Sequence, residues 1–141
     1  MTRAAAMGAM LLSALAAGCG GSESAEFYTA DATAGCLSAK GADIDPDRGN
    51  VDFIAGAAAR GALRAELEGH EVIVSFHRNS SDAKHSEKSY SAFFEGQKGY
   101  GALYAGDRVD RKGNAVIAWS SLPTVYQREE VDECLSEWFG H

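Results

Sequence analysis

Long apolar runs, an excess of positive charge and closely spaced cysteines are all missing from this chain. The longest uncharged apolar stretch, Ala4 to Ala17, falls well short of the ~20 residues that a permanent membrane-spanning helix needs, which speaks against a transmembrane protein. Basic side chains number 13 against 20 acidic ones, for a net charge of -7. A domain this acidic does not bind nucleic acid through charge. The three cysteines, Cys19, Cys36 and Cys134, lack the C-x-x-C spacing that structural zinc prefers. No glycine-rich phosphate loop, G-x-S-x-G elbow or H-E-x-x-H sequence is present. The sequence therefore points to no cofactor and no metal.

What is present begins at the N-terminus. One basic residue, Arg3, is followed by the apolar run and then by small residues before a cysteine, the layout of a secretory signal. The end of that segment, Leu15-Ala16-Ala17-Gly18-Cys19, followed by Gly20-Gly21-Ser22, resembles the bacterial lipobox. In that motif the cysteine sulfur receives a diacylglycerol and the cysteine becomes the new N-terminus. Leu15 stands one place earlier than the usual lipobox leucine, where this chain has Ala16. Ordinary cleavage after Ala14-Leu15-Ala16 is the alternative and would release the protein. The lipobox reading divides the chain into a signal peptide at 1–18, a lipid-anchored flexible tether at 19–26 and a single domain at 27–141. Losing residues 1–18 removes only Arg3 among charged groups and takes the net charge from -7 to -8. Gly20 to Glu26 is small, polar and acidic, with an r.m.s. reach of about 15 Å as a flexible coil.

With Cys19 committed to lipid, Cys36 and Cys134 remain, in a compartment where disulfides persist. Each precedes a leucine and falls on the apolar stripe of a predicted helix. Closing a loop of roughly 100 residues stabilises a fold by up to about 4–5 kcal/mol in the chain-entropy picture.

Along the domain, Asp31 is placed to cap a short helix ending at Gly41, and Val51 to Arg60 carries a second helical pattern. Ala42 to Gly49 reads as a turn-rich link. From Gly61 the apolar period changes to two. If Glu68-Gly69 is a two-residue turn, Leu63 faces Val74 and Ala65 faces Val72. Ser80 or Ser81 then caps a helix whose stripe is Ala83, Ser86, Tyr90, Phe93 and Phe94. The order repeats with a strand near Asp107 to Arg111, a turn at Lys112-Gly113-Asn114, and Ala115 to Trp119, apolar on both faces and hence central. Thr124 and Gln127 form a capping box for a last helix carrying Val131, Cys134, Leu135 and Trp138, with Gly140 beyond its end. The expected fold is α+β: a four-stranded antiparallel sheet from two hairpin-helix units, with helices on one face, preceded by one or two short helices.

Cys36-Leu37, Asp52-Phe53-Ile54-Ala55, Gly61-Ala62-Leu63-Arg64, Gly113-Asn114-Ala115-Val116-Ile117-Ala118-Trp119, Pro123-Thr124 and Cys134-Leu135 together resemble small secreted or lipid-anchored proteins of high-GC Gram-positive bacteria, most of them uncharacterised. The resemblance covers the folded part, implies fold and address, and transfers no active site.

Reactive candidates are few. His70 and Glu71 are strand neighbours and point to opposite faces. Ser75 and His77 share a face with Arg64 and Glu66, which reads as a solvated sheet surface where His77→Ala costs less than about 1 kcal/mol. His77 and His85 lack a third metal ligand at suitable spacing. Tyr100 and Tyr104, in a glycine-rich segment from Glu95 to Gly106, are the residues best placed to meet a partner. The expected function is a non-enzymatic envelope lipoprotein on the extracytoplasmic face of the cell membrane, binding an envelope protein or a small ligand. The alternatives are a small hydrolase using the Ser75/His77 face and an accessory or inhibitor subunit of an envelope complex.

Overall fold

Helix α1 (Ala30–Ala39), strand β1 (Asp43–Ile44), helix α2 (Phe53–Gly56), strands β2 (Ala62–Leu67) and β3 (His70–Phe76) and helix α3 (Ser80–Glu95) form the first half of the chain. A 3-10 turn (Ala105–Arg108), strands β4 (Val109–Lys112) and β5 (Ala115–Trp119) and helix α4 (Val125–Cys134) complete it. The structure, a computed structural model, describes residues 27–99 and 103–136. The expected signal peptide, tether, Tyr100, Trp138 and Gly140 lie outside the described residues.

The strands make one antiparallel sheet in the order β1-β2-β3-β5-β4. Leu63 pairs with Val74 and Ala65 with Val72, the register that the period-two pattern predicts. Glu68 and Gly69, at φ 50° and 79°, both take the left-handed conformation of a tight two-residue hairpin turn, which glycine reaches without steric cost. β5 is buried along its whole length, as its double-sided apolar pattern requires. The sheet has five strands where four were expected. The extra one, β1, pairs Asp43 with Glu66 and Ile44 with Ala65. At two residues it is too short for any periodicity to mark it inside the turn-rich link.

The α+β class stands, but the helices cover both faces of the sheet. Leu63, Val72, Val74, Phe76, Ile117 and Trp119 pack with Leu37 of α1 and Val131 of α4. Ile73, Val116 and Ala118, which alternate with them, pack with Ile54 and Ala55 of α2 and with Ala83, Tyr90 and Phe94 of α3. Apolar side chains on the second face make exposure costly at about 25 cal/mol per Å², and the helix following the first hairpin covers them.

Helix ends follow local chemistry with small shifts from expectation. Thr29 rather than Asp31 caps α1, and Asn79 rather than Ser80 or Ser81 caps α3. The Val51–Arg60 helix contracts to the four residues of α2, capped by Asp52. The Thr124/Gln127 capping box is present as expected. Buried Asn114, at the β4–β5 turn, ties the start of the domain to the sheet. Its Oδ1 accepts the Tyr28 N–H at 2.7 Å, and its Nδ2 donates to the carbonyls of Tyr28 at 3.1 Å and His77 at 3.0 Å.

Cys36 and Cys134 form the expected disulfide, with Cα atoms 5.5 Å apart and 98 residues of separation, joining α1 to α4. The paired Cys36→Ala/Cys134→Ala variant should lose up to about 4–5 kcal/mol relative to the oxidised protein. Chemical denaturation with and without reductant measures this, and equal midpoints would show that the bridge contributes nothing.

Candidate functional site: the cleft between α2 and α3

Asp52 sets the geometry on one side. Its carboxylate accepts the backbone N–H groups of Ile54 and Ala55, both at 2.9 Å, and the Tyr90 hydroxyl at 2.9 and 2.8 Å, so a single side chain caps α2 and pins it to the middle of α3. Burial, with the Asp52 charge beside it, pushes the Tyr90 phenol pKa far up and keeps it protonated as a donor. Beside this joint lies a cleft of about 420 Å³. Phe53, Ile54 and Ala57 line it from the α2 side, Asp82 and Ser86 from α3, and His77 from the end of β3. Phe53 is 76% exposed on the rim and meets the half-exposed Phe93 edge to face at 6.3 Å.

The polar groups of the cleft are its distinctive feature. His77 is only 7% exposed, and its Nε2 lies 3.1 Å from the Ser75 Oγ. Desolvation lowers its pKa, opposed by the Asp82 charge, so the imidazole is neutral at pH 7. Ser86 is equally buried, and its hydroxyl has no hydrogen-bond partner among the described residues. Asp82 accepts from Arg78 Nε at 3.0 Å at the mouth.

The residues singled out from the sequence are distributed by this geometry. Ser75 and His77 do not form a solvated sheet surface: α2 and α3 cover that face, and Ser75 is fully buried and does not line the cleft. Arg64 and Glu66 lie farther along the sheet, where Arg64 pairs with Glu71 instead of joining the histidine. His70 meets the Ser121 hydroxyl at 3.1 Å. His77, Asp82 and His85 all line the cleft, yet among the described residues no three metal-ligating side chains gather closely enough to hold an ion. Tyr104 is 42% exposed, whereas Tyr100 and Cys19 lie outside the described residues. A second exposed apolar group, Leu122, Val125 and Tyr126, sits at the start of α4. No helix among the described residues is long and apolar enough to cross a membrane.

Sequence reasoning missed Phe53 and treated Ser86 as core. A signal for Phe53 existed, because it lies outside the helical spacing of Val51, Ile54, Ala57 and Ala58 in that segment. No such signal marks Ser86, whose place on the α3 stripe is that of any buried residue. Compared with known protein families, curated proteins and solved structures, the chain matches none.

Two outcomes follow from the burial of His77. His77→Ala should cost about 1–3 kcal/mol, because it leaves the Ser75 hydroxyl unpaired inside the protein; a loss below this range in urea denaturation would restore the solvated-face reading. The folded protein binds a proton at His77 less readily than the unfolded chain, whose histidine titrates near ~6.5. The stability from this group is therefore complete above that pH and is lost as pH falls below it towards the depressed native value. His77→Gln should flatten the acid-side fall of the denaturation midpoint, and an unchanged slope would show that His77 is not its source.

Proposed function

We propose that this chain is a lipid-anchored protein on the extracytoplasmic face of the cell membrane, where its domain acts as a non-enzymatic binding module through the α2–α3 cleft. One observation carries the binding reading: an apolar wall of Phe53, Ile54 and Ala57 shares the cleft with two buried polar side chains, His77 and Ser86, of which Ser86 has no hydrogen-bond partner among the described residues. Apolar walls with a few convergent polar groups are the composition of a small-ligand site. The lipobox-like Leu15–Cys19 segment and the polar stretch after it support the anchor. The Cys36–Cys134 bridge suits an oxidising compartment.

The hydrolase reading draws on the 3.1 Å hydrogen bond between Ser75 and His77. A nucleophile must be reached by its substrate, and the complete burial of Ser75 weighs against that role. The accessory-subunit reading draws on the two exposed apolar groups, Phe53 with Phe93 and Leu122 with Val125 and Tyr126.

Small ring compounds bearing one hydroxyl or amide should raise the melting temperature of the wild-type chain and leave that of Ser86→Leu, whose side chain occupies the cleft, unchanged. Equal shifts in both proteins would remove the cleft from the binding reading. For the anchor, Cys19→Ala should abolish labelling by a fatty-acid analogue and recovery in the membrane fraction while leaving the melting temperature unchanged. Equal labelling of mutant and wild type refutes the lipidation.

A further inference from the structure

The cleft and the point where the chain enters the domain share one end of the sheet. Asn114 binds both backbone polar groups of Tyr28 and, through the same amide, the carbonyl of His77 in the cleft. Phe27 lies under the Arg60 guanidinium at 4.8 Å, and Arg60 directly follows Ala59, which lines the cleft, and donates its N–H to the Phe76 carbonyl at 3.0 Å.

Charge differs between the two ends. Near the chain's point of entry, Asp82 and Asp132 are matched by Arg78 and Lys112, at 3.0 and 2.7 Å. At the opposite end, around the β2–β3 turn and the start of α4, Glu66, Glu68, Asp107 and Glu130 form no ion pair among the described residues and outnumber the unpaired Arg108 beside Asp107. A bilayer surface rich in anionic lipid repels that acidic end and tolerates the matched one. On the anchored reading proposed above, the chain between Cys19 and Phe27 joins the domain at this same matched end.

We infer that the ligand of the cleft is an amphiphilic lipid presented by the bilayer, its apolar part on Phe53, Ile54 and Ala57 and its hydroxyl- or amide-bearing part against the side of the cleft lined by His77 and Ser86. This rests on the anchored binding module proposed above and adds the ligand class and its source. Phe53, on the exposed rim beside Phe93, is the first side chain that such a lipid meets.

The test uses the full lipidated chain on vesicles of phosphatidylethanolamine and phosphatidylglycerol, with and without brominated acyl chains that quench tryptophan on contact. Phe53→Trp and Tyr126→Trp are each compared with wild type, so that the native Trp119 and Trp138 cancel. Flotation with the vesicles comes first: a chain that does not float overturns the anchored reading and this inference with it. In a floating chain, the tryptophan introduced at position 53 should be quenched several-fold more than that at 126, and adding Ser86→Leu, or Ala57→Leu from the α2 side, should remove most of the difference. Equal quenching at 53 and 126, or quenching at 53 that survives both cleft-filling changes, overturns the lipid site and leaves the anchor intact.

Discussion

β3 and β5 must leave water on both faces. Val72, Val74 and Phe76 alternate with Ile73 and Ser75, while Ala115, Ile117 and Trp119 alternate with Val116 and Ala118, and all ten are buried. A single layer of helices protects one face only, so the helices after the two hairpins divide: α3 covers one side and α4 the other. α1 is drawn to the α4 side by its disulfide, and α2 to the α3 side by the Asp52–Tyr90 hydrogen bonds. The three layers, the burial of His77 and the cleft beside it all follow from this need for double cover.

Burial on both sides leaves polar groups that have to be answered from within. Gln127 completes the capping box of α4 and donates its Nε2 to the Leu67 carbonyl at 3.1 Å, fastening that helix to the end of β2. Arg108, also buried, has no carboxylate partner among the described residues. Its guanidinium donates to the carbonyls of Trp119 and Ser120 and to the Gln97 side chain, and lies 3.8 Å from the centre of the Phe94 ring. Burial lowers its pKa, yet a guanidinium remains charged at any physiological pH. Because it is engaged by the protein's own carbonyls, Arg108 acts as a clamp between β5 and the segment after α3.

The hairpin register was legible because a tight turn and a period of two fix it together: Glu68-Gly69 leaves no other pairing for Leu63 and Val74. The capping box and the two-faced β5 were legible for the same reason, since each rests on contacts within a few residues. Double cover was not, because Ser75 and His77 make the second face of β3 read as polar, and only the packing of α3 reveals that both are buried. The cleft was less legible still. Phe53, Ile54 and Ala57 share the cleft with Ser86 where Tyr90, 38 residues from Asp52 in sequence, holds α2, a contact that no local pattern encodes.

The serines of α3 give the strongest internal comparison for the cleft. The hydroxyls of Ser89 and Ser91 donate to the carbonyls four residues earlier, at 3.1 and 3.0 Å, the usual way for a helical serine to satisfy itself. Ser86, on the same helix and more deeply buried, makes no such bond. An unpaired buried hydroxyl costs a folded protein about 1–3 kcal/mol, a cost that alanine at this position would not carry. Ser86 and His77 both line the cleft, so a ligand seated there lies next to this enclosed hydroxyl. A ligand that supplies the missing hydrogen bond therefore binds the folded chain and not the unfolded one, and its occupancy adds to stability in proportion to the logarithm of its concentration above Kd.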